Sequence, residues 1–234
     1  QIFEASIKEN PHTNTIKKKI QATNVVGYID NKKEETIIIG AHYDHIGYGD
    51  FSSLYDGERE IHNGADDNAS GVSIMINLAK SLNEVKNYNY LFIGFSGEEH
   101  GLFGSSHYAK NPTVNLDKVR FMINFDMVGR LNQEKTLAIN GIGTSSYWDQ
   151  LINNSNTFKF KLKTTESGIG PSDHTSFYLQ NIPSIHFFTG QHDDYHKPSD
   201  KRNKLNYDGI FDVLCFVESI INSSVSIVDF DFKE

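Results

Sequence analysis

The side chains able to do chemistry are concentrated in five short clusters of this 234-residue chain. His42-Tyr43-Asp44-His45 sets an acid two residues after an imidazole, a spacing that in an extended strand puts both side chains on one face. That suits a metal-binding His with a carboxylate to orient it, or else a solvated strand end. Gly64-Ala65-Asp66-Asp67-Asn68-Ala69-Ser70-Gly71 is a small-residue turn opening a helix. Asp66 or Asn68 fits an N-cap that satisfies free backbone N–H groups, and the adjacent acids suit a bridging metal carboxylate equally well. Ser96-Gly97-Glu98-Glu99-His100-Gly101 follows an apolar run, and two neighbouring carboxylates at a buried strand end repel each other and are costly to desolvate. A cation would relieve that repulsion, although a helix N-terminus also favours acids. Asp126 follows another apolar run, and Asp194-Tyr195-His196-Lys197-Pro198-Ser199-Asp200 is a polar loop ahead of the last helix.

Ten His, thirty acids and one Cys leave room for neither an intrachain disulfide framework nor a cysteine-rich zinc module. Any metal site must be built from imidazole and carboxylate, a donor set suited to zinc, manganese or cobalt. Two His and three acids suffice for two divalent ions with one shared carboxylate, and the clusters hold a further acid beyond these, the kind of site that activates water.

Stepping the pattern along the chain gives elements that could gather these clusters. Thr23 to Ile29 and Thr36 to His42 read as strands, and Tyr90 to Phe95, Val119 to Phe125 and Ser184 to Phe188 as further apolar runs. Ala69 to Leu82 reads as a helix with Val72, Met75, Ile76 and Ala79 on one face, and Leu205 to Ile221 as a long terminal helix striped by Ile210, Val213, Leu214, Val217 and Ile220. With no repeat and no linker, this predicts one α/β domain, a three-layer sandwich with a mixed, mostly parallel central sheet flanked by helices. Ligands in such folds bind beyond the C-terminal strand ends, where the clusters fall.

The remaining composition narrows the partners. A net charge of -8 speaks against nucleic acid. Apolar runs such as Thr36 to Ala41 are far short of the ~20 residues of a membrane helix, so no membrane span is expected. Oligomeric state is not written in the pattern. The chain starts at Gln1 without a signal-like stretch, which fits a removed leader or a fragment boundary.

Five motifs occur in order, AHYDHIG, NGADDNASG, SGEEHGLFGS, NFDMVG and DYHKPSD. Through them the chain, from about Thr23 to Ile221, resembles the bacterial leucyl aminopeptidase / glutamate carboxypeptidase II family of di-zinc metallopeptidases. The resemblance implies two Zn2+, with Mn2+ or Co2+ as substitutes. By it, His42 and Asp126 are terminal ligands of the first ion, Asp67 the bridge, and Glu99 and His196 the ligands of the second. It makes Glu98 the general base, Asp44 the acid that orients His42, and Tyr195 a hydroxyl that stabilises the oxyanion. It also implies a cis Asp67–Asn68 peptide.

Ser172-Asp173-His174 resembles a loop lining the family's substrate pocket, so Asp173 is either a contact for a substrate amine or a helix N-cap. His45, His100, His186 and His192 flank the site at positions the family does not use as ligands, while His12, His62 and His107 read as surface or capping residues. The implied activity is a metal-dependent exopeptidase that hydrolyses the N-terminal peptide bond of a peptide substrate with a two-zinc-activated water. Four Arg (Arg59, Arg120, Arg130, Arg202) are few for a carboxylate clamp, which favours an aminopeptidase over a carboxypeptidase. The rival readings are a glutaminyl cyclase on the same fold and a metal-free binding module; Tyr195 where such cyclases look to have Trp, together with intact ligand positions, argues against both. Residues 1–234 are expected to form a single catalytic peptidase domain lacking N-terminal elements of a longer parent chain, in an extracytoplasmic setting.

Overall fold

The computed structural model describes residues 1–8 and 17–234, and His12 lies outside the described residues. In chain order the elements are β1 (Ile2–Lys8), β2 (Lys17–Thr23), β3 (Val25–Ile29), β4 (Thr36–His42), α1 (Gly71–Ser81), β5 (Asn89–Phe95) and α2 (Phe103–Lys110). They continue with β6 (Val119–Phe125), β7 (Thr136–Asn140), α3 (Trp148–Ser155), β8 (Lys161–Thr165), α4 (His174–Tyr178), β9 (Ser184–Phe188) and α5 (Tyr207–Ser223). β1 and β2 form a separate antiparallel pair. The other seven strands make one sheet in the order β3-β5-β4-β6-β9-β7-β8. Pairing is antiparallel only at β3–β5 and β7–β9, so the expected mixed, mostly parallel sheet is what forms.

β4 carries no polar alternation because both of its faces are covered, and every residue from Thr36 to His42 is buried. Ile37 and Ile39 face a core shared with α1, α3 and α5, including Leu78, Trp148, Val217 and Ile220. Ile38 points the other way, into a smaller core with Phe95, Tyr108, Met122 and Phe177, where α2 and α4 cover the sheet. The result is a three-layer sandwich.

Several elements differ from the sequence expectation. In α1 the buried stripe is Ile74, Met75 and Leu78, with Ile76 49% exposed, so the helix is rotated away from the stripe the apolar spacing suggests. Its start moves to Gly71 because Ala65–Ser70 form an irregular turn, in which Asp67 and Asn68 are not helical. The helical stretch Tyr207–Ser226 has mean hydropathy 1.3 and is long enough to cross a membrane, a property that short apolar runs do not reveal. Here it serves as a core helix, burying Val213, Phe216, Val217, Ile220 and Ile221. β1, β2, β7, β8, α2, α3 and α4 have patterns too weak to anticipate; β8, for example, is a largely exposed edge strand. His62 is buried against Ser53 rather than on the surface, while His107 stacks on Phe3.

Tight packing behind β4 holds its end in place. A Cβ on Gly40 would lie 2.5 Å from a ring carbon of Phe95 and 2.9 Å from the methyl of Met122. Gly40→Ala should therefore destabilise the protein by about 1–3 kcal/mol, read from the urea midpoint at unchanged slope.

Candidate active site

The parallel neighbours β5, β4, β6 and β9 end side by side, so each delivers its following loop to one edge. His42 is the last residue of β4, Asp126 follows β6, Glu98 and Glu99 follow β5, and His196 lies in the loop after β9. Asp67 arrives from the turn ahead of α1, and its peptide to Asn68 is cis.

The side chains converge in two groups. His42 Nε2 is 3.3 Å from an oxygen of Asp67 and 3.3 Å from one of Asp126. His196 Nε2 is 3.3 Å from the other Asp67 oxygen and 3.0 Å from Glu99 Oε2. Asp67 thus faces both imidazoles with different oxygens. Two ligands on one tetrahedral ion with arms of about 2.0–2.2 Å stand roughly 3.3–3.5 Å apart. Three of these separations equal that edge and the fourth is slightly shorter. The ligand-capable atoms of His42, Asp67 and Asp126 lie within 4.8 Å of one another, and so do those of His45, Asp67 and Glu99. The donor set fits divalent cations of the zinc type.

Electrostatics follow from the crowding. Burial works against a charged His42, but Asp126 and Asp67 outweigh it and hold its pKa well above the ordinary imidazole value. His196 is likewise raised to about 10, Asp67 and Glu99 overcoming the penalty of burial. Burial raises the Glu98 carboxyl well above the carboxylate range, with Asp126, Asp173 and Glu99 adding to the shift. Tyr195 stacks on His196 at 3.9 Å, and burial plus Asp67 and Glu99 push its phenol up, keeping it protonated.

Supporting contacts are dense. Asn68 donates to the Phe125 carbonyl at 2.9 Å and accepts from the Gly71 and Met127 N–H groups, which ties the Asp67 turn to the end of β6. Asp200 Oδ2 accepts from the N–H groups of Asp66 and Asp67 at 2.8 and 3.1 Å, while Arg130 donates to its other oxygen. Ser172 Oγ donates to Asp126 at 2.6 Å. Asp66 accepts from Gly129 N and Ser70 Oγ, with His192 on its second oxygen. Asp66 caps no helix, whereas Asn68 Oδ1, by accepting from the Gly71 N–H, satisfies a free backbone donor at the start of α1.

Two expectations need adjustment. His42 Nδ1 lies 3.0 Å from the Asp44 backbone carbonyl and 3.8 Å from its carboxylate, so the nearer orienting group is the main chain. The Asp44 carboxylate instead accepts from the Glu98 N–H at 3.3 Å. Asp173 is 0% exposed, makes no cap hydrogen bond and is absent from the side chains lining the cavity. It is buried beside the site rather than lining the cavity, and burial raises its carboxyl to about 7. Asp200, Arg130 and Ser172 were given no role by the sequence, and Asn68 only that of a helix cap. Asp200 lies inside a quoted motif, but only the fold reveals that it faces the Asp67 turn.

The cavity over these residues has a volume of about 280 Å³ and reaches from His42, Glu98 and Tyr195 to Met127, His186 and Phe188. No Arg or Lys is among the described residues that line it.

Known proteins are similar to this chain in sequence or in fold. Aminopeptidase YwaD of Bacillus subtilis (strain 168) is 30% identical over 211 residues, 84% of this chain and 42% of that protein. A solved zinc aminopeptidase from Bacillus subtilis superposes with a TM-score of 0.71 at 26% identity, covering 88% of this chain and 50% of the other. A glutaminyl cyclase from Bacteroides thetaiotaomicron shares the fold with a TM-score of 0.73 at 19% identity, over 94% of this chain and 82% of the other. The chain spans about half the length of these two Bacillus subtilis aminopeptidases. The family model described as Peptidase family M28 matches residues 24–217, nearly all of the sheet and the residues converging at its edge, and the chain belongs to that family.

Proposed function

We propose that this chain is a catalytic peptidase domain that removes N-terminal residues from peptides, using two divalent metal ions, zinc by preference, in an extracytoplasmic setting. The observation that carries the reading is the pairing of His42 and His196 across opposite oxygens of Asp67, with Asp126 and Glu99 completing two groups beneath a cavity with no Arg or Lys among the described residues that line it. Such a cavity offers no Arg or Lys clamp to a terminal carboxylate. Its acids suit a free α-ammonium, and Arg120, Arg130 and Arg59 are committed to Glu35, Asp194 with Asp200, and Asp50. The names of the similar aminopeptidases support the same direction.

In this reading His42, Asp67 and Asp126 hold one ion, and Asp67, Glu99 and His196 the other. When bound, such ions polarise a carbonyl and lower the pKa of water. Glu98 lines the cavity without being assigned to either ion. Its carboxylate takes a proton from the attacking water and returns it to the departing amine. Desolvation raises its basicity, which suits a general base working near neutrality. The neutral Tyr195 hydroxyl donates to the oxyanion that develops on the scissile carbonyl. The Asp44 backbone carbonyl, with its carboxylate behind, sets the ring orientation of His42, and Asp200 keeps the Asp67 turn in register with the His196 loop.

Aminoacyl-arylamides with a free α-amine should be hydrolysed, and N-acetylation should abolish turnover. Cleavage of blocked peptides from the other end, or release of pyroglutamate from a Gln-peptide, would replace the reading. Glu98→Gln should keep its metal content and lose at least about 10²-fold in kcat; near-native turnover would remove Glu98 from the role.

The pH dependence of the metal-free protein has a defined sign. The folded pKa of His196 is about 10, above the ordinary 6.5, so its stabilising contribution is complete below pH 6.5 and is lost as pH rises through about 10. The metal-free Tm should fall across that window. The additional stabilisation by Zn2+ should grow over the same range, because metal requires the imidazole deprotonated.

A further inference from the structure

A third imidazole stands at the site without belonging to the ligand sets above. His45 follows β4 by three residues, and its Nδ1 is 2.7 Å from Glu99 Oε1. The side chain is 12% exposed, its ring meets that of His196 edge-on with centroids 5.8 Å apart, and its Nε2 is buried without a hydrogen-bond partner. Proximity alone would admit it as a metal ligand, since its ligand-capable atom clusters with those of Asp67 and Glu99.

Distance separates the two roles. The imidazole–carboxylate pairs assigned to the ions stand 3.0 to 3.3 Å apart, close to the roughly 3.3–3.5 Å edge of a tetrahedral zinc site. The His45–Glu99 pair at 2.7 Å is well inside that edge and matches a charge-assisted N–H···O⁻ hydrogen bond. Glu99 divides its oxygens accordingly, Oε1 toward His45 and Oε2 toward His196. As a carboxylate Glu99 only accepts, so His45 must carry its proton on Nδ1.

The turn that supplies Asp67 is shaped around the same ring. Gly64 has φ +59, and a Cβ there would lie 2.5 Å from the Asp67 carbonyl oxygen and 2.8 Å from His45 Cγ. The His45 ring is therefore packed close to the Asp67 turn as well as to Glu99.

We propose that His45 is a positioning residue for the second metal ion: its Nδ1–H holds Glu99 Oε1 and so aims Oε2 at the ion shared with Asp67 and His196. This rests on the two-ion reading above, and the experiment keeps the two apart. Metal-depleted wild type, His45→Ala and His45→Asn are titrated with Zn2+ against a chromophoric chelator and with Co2+ by visible absorption. Asn can offer an amide N–H near the position of Nδ1. Wild type should bind two ions. His45→Ala should weaken one of the two affinities about 10–100-fold and leave the other unchanged. Its cobalt bands at saturation should match wild type, and His45→Asn should recover most of the lost affinity.

Unchanged affinities in His45→Ala would overturn the proposal while leaving the two-ion reading standing. A cobalt spectrum at saturation that has lost a nitrogen donor would make His45 a ligand and overturn it too, as would His45→Asn binding no better than Ala. Wild type binding fewer than two ions would overturn both. Should His45→Ala fail to fold, His45→Leu, which fills the space without a donor, carries the same comparison.

Discussion

Repulsion among carboxylates at a buried sheet edge is the constraint to which the rest of the molecule answers. Asp67, the Glu98–Glu99 pair and Asp126 come from three separate parts of the chain and meet where solvent screening is poor. Left alone they would share protons or drive the edge apart. Imidazoles offset part of the repulsion, because His42 and His196 are each held protonated by flanking acids in the absence of metal. Divalent cations would offset more of it, and the same geometry serves either counter-charge. The acidity of the chain is in this sense partly local and purposeful.

Holding such a cluster needs a rigid frame. The frame is a parallel core whose strands β5, β4, β6 and β9 are buried on both faces, so they cannot shift without disturbing two cores at once. The loops that carry the chemistry are then fastened to one another. Asp200 and Arg130 tie the His196 loop to the Asp67 turn, Asn68 ties that turn to β6, and Ser172 braces Asp126 from the α4 side. A hydrogen-bonded frame of this kind lets each functional side chain have few alternatives, which is what a site working through position requires. His45 fits the same logic, linking the end of β4 to Glu99.

Much of this was legible in the residues. Strands β4, β6 and β9 have the bounds that their apolar runs predict, because a strand buried on both faces leaves an unbroken apolar stretch. α1 is less well read: apolar spacing places Ile76 on the buried face, while the irregular Asp67 turn resets the helix start and turns Ile76 outward. Asp173 shows the opposite difficulty. Its motif suggests a pocket residue, yet the fold buries it and leaves it off the cavity lining, and a side chain's direction at a loop is decided by packing rather than by its neighbours in sequence.

What the sequence determined by itself was the material and the architecture. One Cys and ten His confine metal chemistry to imidazole and carboxylate, and the periodicity yields a mostly parallel α/β sheet with the polar clusters at strand ends. Only the tertiary structure decided which atoms face which: that Asp67 presents one oxygen to each imidazole, that Asp200 serves the Asp67 turn and that His45 takes Glu99 Oε1. The reason is range. Composition and periodicity are local and set by residue type, whereas a 2.7 Å hydrogen bond between residues 54 positions apart depends on strand order, register and the packing of three loops.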